Sequence, residues 1–141
     1  MKKIFPTDKK INFLVADDVR QEISGKAIIV GYYSGSSITF SHAKDFEISE
    51  NQPLLFPSLC LLWVFTDGSG DFNASATIKY PDGNITEVLS QTMKKNPDGA
   101  ANLLIRMTPF VIIAFGEFEC CVDLGEGHKY KRKFRIINKI I

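Results

Sequence analysis

An all-β fold, a single-domain antiparallel sandwich of about eight strands in the immunoglobulin-like class, is what this chain predicts. Three observations carry that expectation. Apolar and polar residues alternate with period two through most of the chain. Clusters of Gly, Pro, Asn, Asp and Ser interrupt it at short intervals. No stretch of useful length has the 3.6-residue repeat of an amphipathic helix, so little or no helix is expected. With 141 residues, 45% of them hydrophobic and 23% charged, residues 1–141 are read as one domain around one core.

Residues 12–33 open the chain with a β-hairpin. The apolar runs Phe13–Ala16 and Ala27–Val30 flank a polar bridge, and Ser24-Gly25 supplies the permissive φ of a reversal. Asp18, Arg20 and Glu22 project to one side of this ribbon, Val19, Gln21 and Ile23 to the other. Ile38–Phe40 reads as a short edge strand, and residues 42–57, with Pro53 and Pro57, as a long connection. Leu59–Thr66 is apolar on both faces, as a strand buried on both sides must be. Asp67–Asp71 turns the chain into a strand in which Ala74, Ala76, Ile78 and Tyr80 share one face. Pro81-Asp82-Gly83-Asn84 makes a second hairpin to Ile85–Leu89. Residues 94–101 form a loop, Asn102–Met107 a strand, and Thr108–Phe115 a lead into the last pair.

That pair carries a register expectation. Phe118, Cys120, Val122 and Leu124 share one face, and Tyr130, Phe134 and Ile136 share one on the next strand. Leu124 opposite Tyr130 sets Asp123 against Lys131 and Glu119 against Arg135, acid facing base, at about 0.2–1 kcal/mol a pair. Arg132 falls on the apolar side and is expected to snorkel at its edge.

Composition narrows the function. Seventeen basic against sixteen acidic side chains leave a net charge of +1, which argues against nonspecific nucleic-acid binding. Asp8, Lys9 and Lys10 break the apolar core a signal peptide needs. The apolar runs Leu59–Phe65 and Phe110–Phe115 fall far short of the roughly 20 residues of a membrane span. An odd cysteine count and no disulfide framework fit a reduced, cytoplasmic protein. The sequons at Asn73 and Asn84 are therefore read as chance.

Val15-Ala16-Asp17-Asp18-Val19-Arg20-Gln21-Glu22, then Gly25-Lys26 and Val30-Gly31-Tyr32-Tyr33, resemble a family of small, functionally uncharacterised bacterial proteins. Its members tend to begin with an ADDVR-type strand, a Gly-Lys turn and an Ile/Val-Gly-x-Tyr strand. Gly116-Glu117-Phe118 matches it more loosely. The resemblance implies a one-domain, immunoglobulin-like sandwich and no substrate. Gly116–Cys120 also resembles the sixth strand of immunoglobulin domains, where an aromatic lies two residues before a cysteine. Here Phe118 lacks the hydroxyl of a tyrosine corner, and Trp63 follows Cys60 too closely, so disulfide bonding does not carry over.

No constellation of chemistry stands out. Asp67–Asp71 alternates oxygen ligands, but Phe72 and Ile78 stand where an EF-hand needs glycine and glutamate, so a solvated turn is expected. Glu119, Cys121, Asp123 and His128 lack zinc spacing. Asp17, Asp18, Arg20 and Glu22 are the residues acid/base work would use, but Arg20 flanked by Asp18 and Glu22 reads as a surface ion-pair cluster, and no nucleophile or phosphate-loop motif occurs. No catalytic residue, cofactor or metal ligand is assigned. The expected role is a non-catalytic module that binds a protein partner or its own copies, without membrane or nucleic acid. Its interaction surface is sought in the apolar runs 110–115 and 136–141, at Phe110, Ile112, Phe115, Ile140 and Ile141. The alternative is a small-ligand or carbohydrate-binding module stacking on Trp63, Tyr32 or Tyr33, and a third reading is an enzyme with an unrecognised site.

Overall fold

The opening hairpin forms as its turn chemistry requires. In the computed structural model, which describes residues 2–141, β1 (Ile11–Gln21) runs antiparallel to β2 (Ala27–Tyr32). Gly25 (φ 88°) donates to the Glu22 carbonyl at 2.9 Å, and Glu22 donates to the Lys26 carbonyl at 2.8 Å. The remaining strands are β3 (Ser37–His42), β4 (Leu54–Phe56), β5 (Leu59–Phe65), β6 (Gly70–Lys79), β7 (Ile85–Lys95), β8 (Ala101–Met107), β9 (Phe110–Ile112), β10 (Gly116–Asp123) and β11 (Lys129–Ile140). They make one sheet in the order β2-β1-β5-β8, a second in the order β3-β11-β10-β6-β7, and a small ladder of β4 with β9.

The result is an all-β sandwich with eleven strands rather than about eight. β4 and β9, three residues each, are too short to show a period, and both lie where connections were expected. The run β1-β5-β8 and the run β7-β6-β10-β11 follow the A-B-E and C′-C-F-G order of immunoglobulin-like sandwiches. One pairing is parallel: β3 lies beside β11, with Ile38 opposite Ile136. No helix among the described residues is long and apolar enough to cross a membrane.

Alternation places the core. β6 buries Phe72, Ala74, Ala76 and Ile78, and β10 buries Phe118, Cys120 and Val122. Phe134 and Ile136 of β11 meet Trp63 and Phe65 of β5 in the same cluster. Because β5 lies between β1 and β8, its other face is covered too: Cys60 and Leu62 pack with Ala16 and Val19 beneath Leu14, Val64 and Leu104. That is why Leu59–Phe65 shows no alternation.

The β10–β11 register differs from expectation by two residues. Val122, not Leu124, faces Tyr130, so Asp123 meets Lys129, Glu119 meets Lys133 and Glu117 meets Arg135. The turn is tighter than expected because Leu124 donates to the His128 carbonyl (3.0 Å) and His128 to that of Gly125 (2.9 Å). A shift of two preserves every face, so acid still meets base. Arg132 does lean over the apolar side, reaching Asp8 at 2.9 Å.

Residues 3–10 close one end of the sandwich. Ile4 bridges to Ser69, Thr7 donates to Asp67 Oδ1 at 2.9 Å, and Tyr130 Oη donates to the Pro6 carbonyl at 2.7 Å. Gly68 permits the approach: a Cβ there would lie 2.7 Å from the Ile4 carbonyl oxygen.

Candidate protein-binding edge

A sheet edge leaves a row of backbone N–H and C=O groups without partners, so edge strands usually carry charge, proline or bulges. The two main sheets end on β2, β8, β3 and β7. β8 carries Asn102 and Arg106, β3 carries serines, Thr39 and His42, and β7 carries Glu87 and Lys94. β2 reads Ala-Ile-Ile-Val-Gly-Tyr and has no charged residue at all. Every residue of it is exposed, with Ile28 at 43%, Ile29 at 38%, Val30 at 41% and Tyr32 at 53%. Successive residues are wet, so both faces of the strand project past the layer that covers its neighbour β1.

The ends of β2 differ in charge. Lys26 precedes it, exposed. At the other end, Gly31 (φ 68°) lies against Asp17, and a Cβ on Gly31 would sit 2.3 Å from the Asp17 Oδ2. The absent side chain lets the carboxylate lean over the edge strand, where the Tyr33 hydroxyl donates to it. Partial burial and that anion push the Tyr33 phenol up to about 12. Neither Asp17 nor Lys26 has an ion-pair partner among the described residues.

The residues expected to form the interaction surface divide. Phe110 (2% exposed) and Ile112 (1%) are core residues, and this corrects their assignment to a surface. β9 pairs with β4 and turns both side chains inward, where Phe110 meets Phe118 with ring centroids 5.8 Å apart. Phe115 is half-buried beside Phe40 and His42. Ile140 (57%) and Ile141 (82%) are exposed at the end of β11. Trp63 is fully buried and so is no stacking platform, while Tyr32 is open to solvent.

His42 is held by two bonds. Its Nδ1 donates to the Ala43 carbonyl at 2.7 Å, so the Nε2, 3.2 Å from the Asn138 amide, accepts. Asp18 pairs with Arg20 (3.4 Å) and with Arg106 (3.5 Å), which also donates to the Val19 carbonyl. Glu22 takes no part in that cluster. Asp123 accepts from the Gly125 N–H (2.8 Å), and His128 stacks on Phe5 at 3.6 Å. No three His, Cys, Asp or Glu side chains among the described residues gather closely enough to hold a metal ion.

The outer face of the five-stranded sheet carries Lys79, Glu117, Glu119, Lys131 and Lys133 around two shallow grooves, of about 340 and 270 Å³. Cys121 lines the second. Burial pushes its thiol up, against the pull of Lys131 and Lys129, so this cysteine is not primed as a thiolate. No family model matches the chain, and no curated protein matches it.

The apolar edge of β2 was missed by sequence reasoning, although its signal was present: six residues without a charge beside a turn. Local pattern does not say which strand has no outer neighbour.

Proposed function

We propose that this protein is a non-catalytic interaction module that accepts a further β-strand on the free edge of β2. One observation carries the reading: β2 is uncharged and exposed on both faces, while the other edge strands of the two main sheets, each six residues or longer, carry polar groups. In strand addition the unpaired backbone groups supply affinity and alternate side chains supply selectivity. Ile28, Ile29, Val30 and Tyr32 are the side chains available. The resemblance of residues 15–33 to a bacterial family assigns no substrate and is compatible with this role. Three free cysteines suit a reducing cytoplasm.

Val30→Lys tests the reading, because it adds a charge to the edge without entering the core. Light scattering and affinity capture are compared for the two proteins. Association with any protein, its own kind included, is expected for the wild type and lost in the variant. A wild type that binds nothing, or a variant that binds equally well, would overturn it.

A further inference from the structure

We infer that the strand accepted by β2 is β2 of a second copy, joined antiparallel about a two-fold axis, with Lys26 of each copy meeting Asp17 of the other. The inference rests on the strand-addition reading above and names its partner. Charge is complementary along the strand. Lys26 stands at the beginning of β2, and the Asp17 carboxylate leans over Gly31 near its end. Antiparallel pairing brings the beginning of one strand beside the end of its mate, so both cation–anion contacts form at once. Between them lie only uncharged residues, so no like charges are opposed.

Reach is sufficient. Asp17 belongs to β1, so the contact spans two strand spacings, about 9.6 Å, which the lysine stem of one copy and the leaning carboxylate of the other close from both sides. The Asp17 Oδ2 occupies the space that a side chain at Gly31 would fill, which carries the carboxylate out over β2. A two-fold contact of this kind closes on itself. The two four-stranded sheets merge and end on β8 of each copy, where Asn102 and Arg106 discourage further growth. The surface covered by one strand pair is small, so a reversible dimer is expected, with a Kd on the order of 10–1,000 µM.

Sedimentation equilibrium over about 10 µM to 1 mM, the range set by that Kd, reads it directly. The wild type is expected to pass from monomer to dimer. Lys26→Glu alone opposes two carboxylates at each contact, and Asp17→Lys alone opposes two ammonium groups. Each should raise the Kd on the order of tenfold. An equal mixture of the two variants restores both attractions and should dimerise nearly as tightly as wild type. A wild type that is monomeric at the highest concentration, or a mixture no tighter than its components, would overturn the inference. Hydrogen exchange on the unaltered protein needs no variant: amides of residues 27–32 should slow as concentration rises, and unchanged rates refute self-pairing. If a monomeric wild type still captures a cellular protein and Val30→Lys does not, self-pairing fails while strand addition stands. If both signals are absent, both readings fail.

Discussion

The guanidinium of Arg132 lies over the indole of Trp63, its central carbon 5.7 Å from the ring centroid. The same group donates to the Asp8 carboxylate at 2.9 Å and to the Asp8 carbonyl at 2.7 Å. A charged residue thus sits on the inward face of β11 because an aromatic surface and a chain end meet it there. Arg132→Ala should lower stability by about 2 kcal/mol through lost cation–π contact and charged hydrogen bonds. Arg132→Lys should recover less than half, since an ammonium lacks the planar fork. Urea midpoints check both, and equal stability of the lysine variant would contradict the bidentate argument.

Lys95 is 1% exposed, and its ammonium donates to the carbonyls of Gly68 (3.1 Å) and Asn96 (2.6 Å). Lys95→Ala should cost about 2–4 kcal/mol by leaving a cavity and unpaired acceptors. Lys95→Met refills the space and not the bonds, so it should fall between alanine and wild type. Thermal midpoints give the order.

Gly31→Ala should destabilise by about 1–3 kcal/mol, since alanine meets both a left-handed φ of 68° and the Asp17 carboxylate. In an Asp17→Ala background only the backbone cost remains, about 1 kcal/mol. A double-mutant cycle measures this coupling. Additive costs would mean that the carboxylate does not occupy the space above Gly31.

Alkali should weaken the fold in a defined window. Burial pushes the Cys120 thiol up to about 12, with the Trp63 indole acting the other way, and burial together with Asp17 does the same to Tyr33. Both groups hold their protons more tightly when folded. Their contribution is therefore complete below the ordinary values of 9.0 and 10.0 and is lost as pH rises toward about 12. Denaturant midpoints against pH should fall less steeply above pH 9 in Cys120→Ala. An unchanged slope would show that folding does not raise the Cys120 thiol above its unfolded value.

Acid should act through Asp67. Its slight burial raises the pKa, but hydrogen bonds from Thr7 and the charge of Lys10 outweigh it and hold the carboxyl below its ordinary 3.8. That stabilisation is present above the unfolded value and is lost as pH falls through the folded one. Asp67→Asn should flatten the acid limb of the midpoint curve, and an unaltered limb would remove Asp67 from the account.

Hairpins were legible because their determinants are local. Ser24-Gly25 and Pro81-Asp82-Gly83-Asn84 lie where the chain reverses, and the faces of β6, β10 and β11 follow from alternation. The β10–β11 register slipped by two because strand faces are indifferent to such a shift, while the bonds inside the 124–128 turn are not. The candidate surface was less legible. A run without clean alternation, such as Phe110–Phe115, fits an exposed patch and a closed core equally, and Phe110 and Ile112 fill the core because β9 pairs with β4.

By itself the sequence determined an all-β chain, its main turns and which side chains of a strand share a face, since sterics and a two-residue period act between neighbours. Only the tertiary structure decided which strands lie at an edge. Ala27–Tyr32 and Leu59–Phe65 are similarly apolar, but the second is flanked by β1 and β8 while the first has β1 on one side and water on the other. Burial of a strand depends on neighbours distant in the chain, and no local pattern encodes their absence.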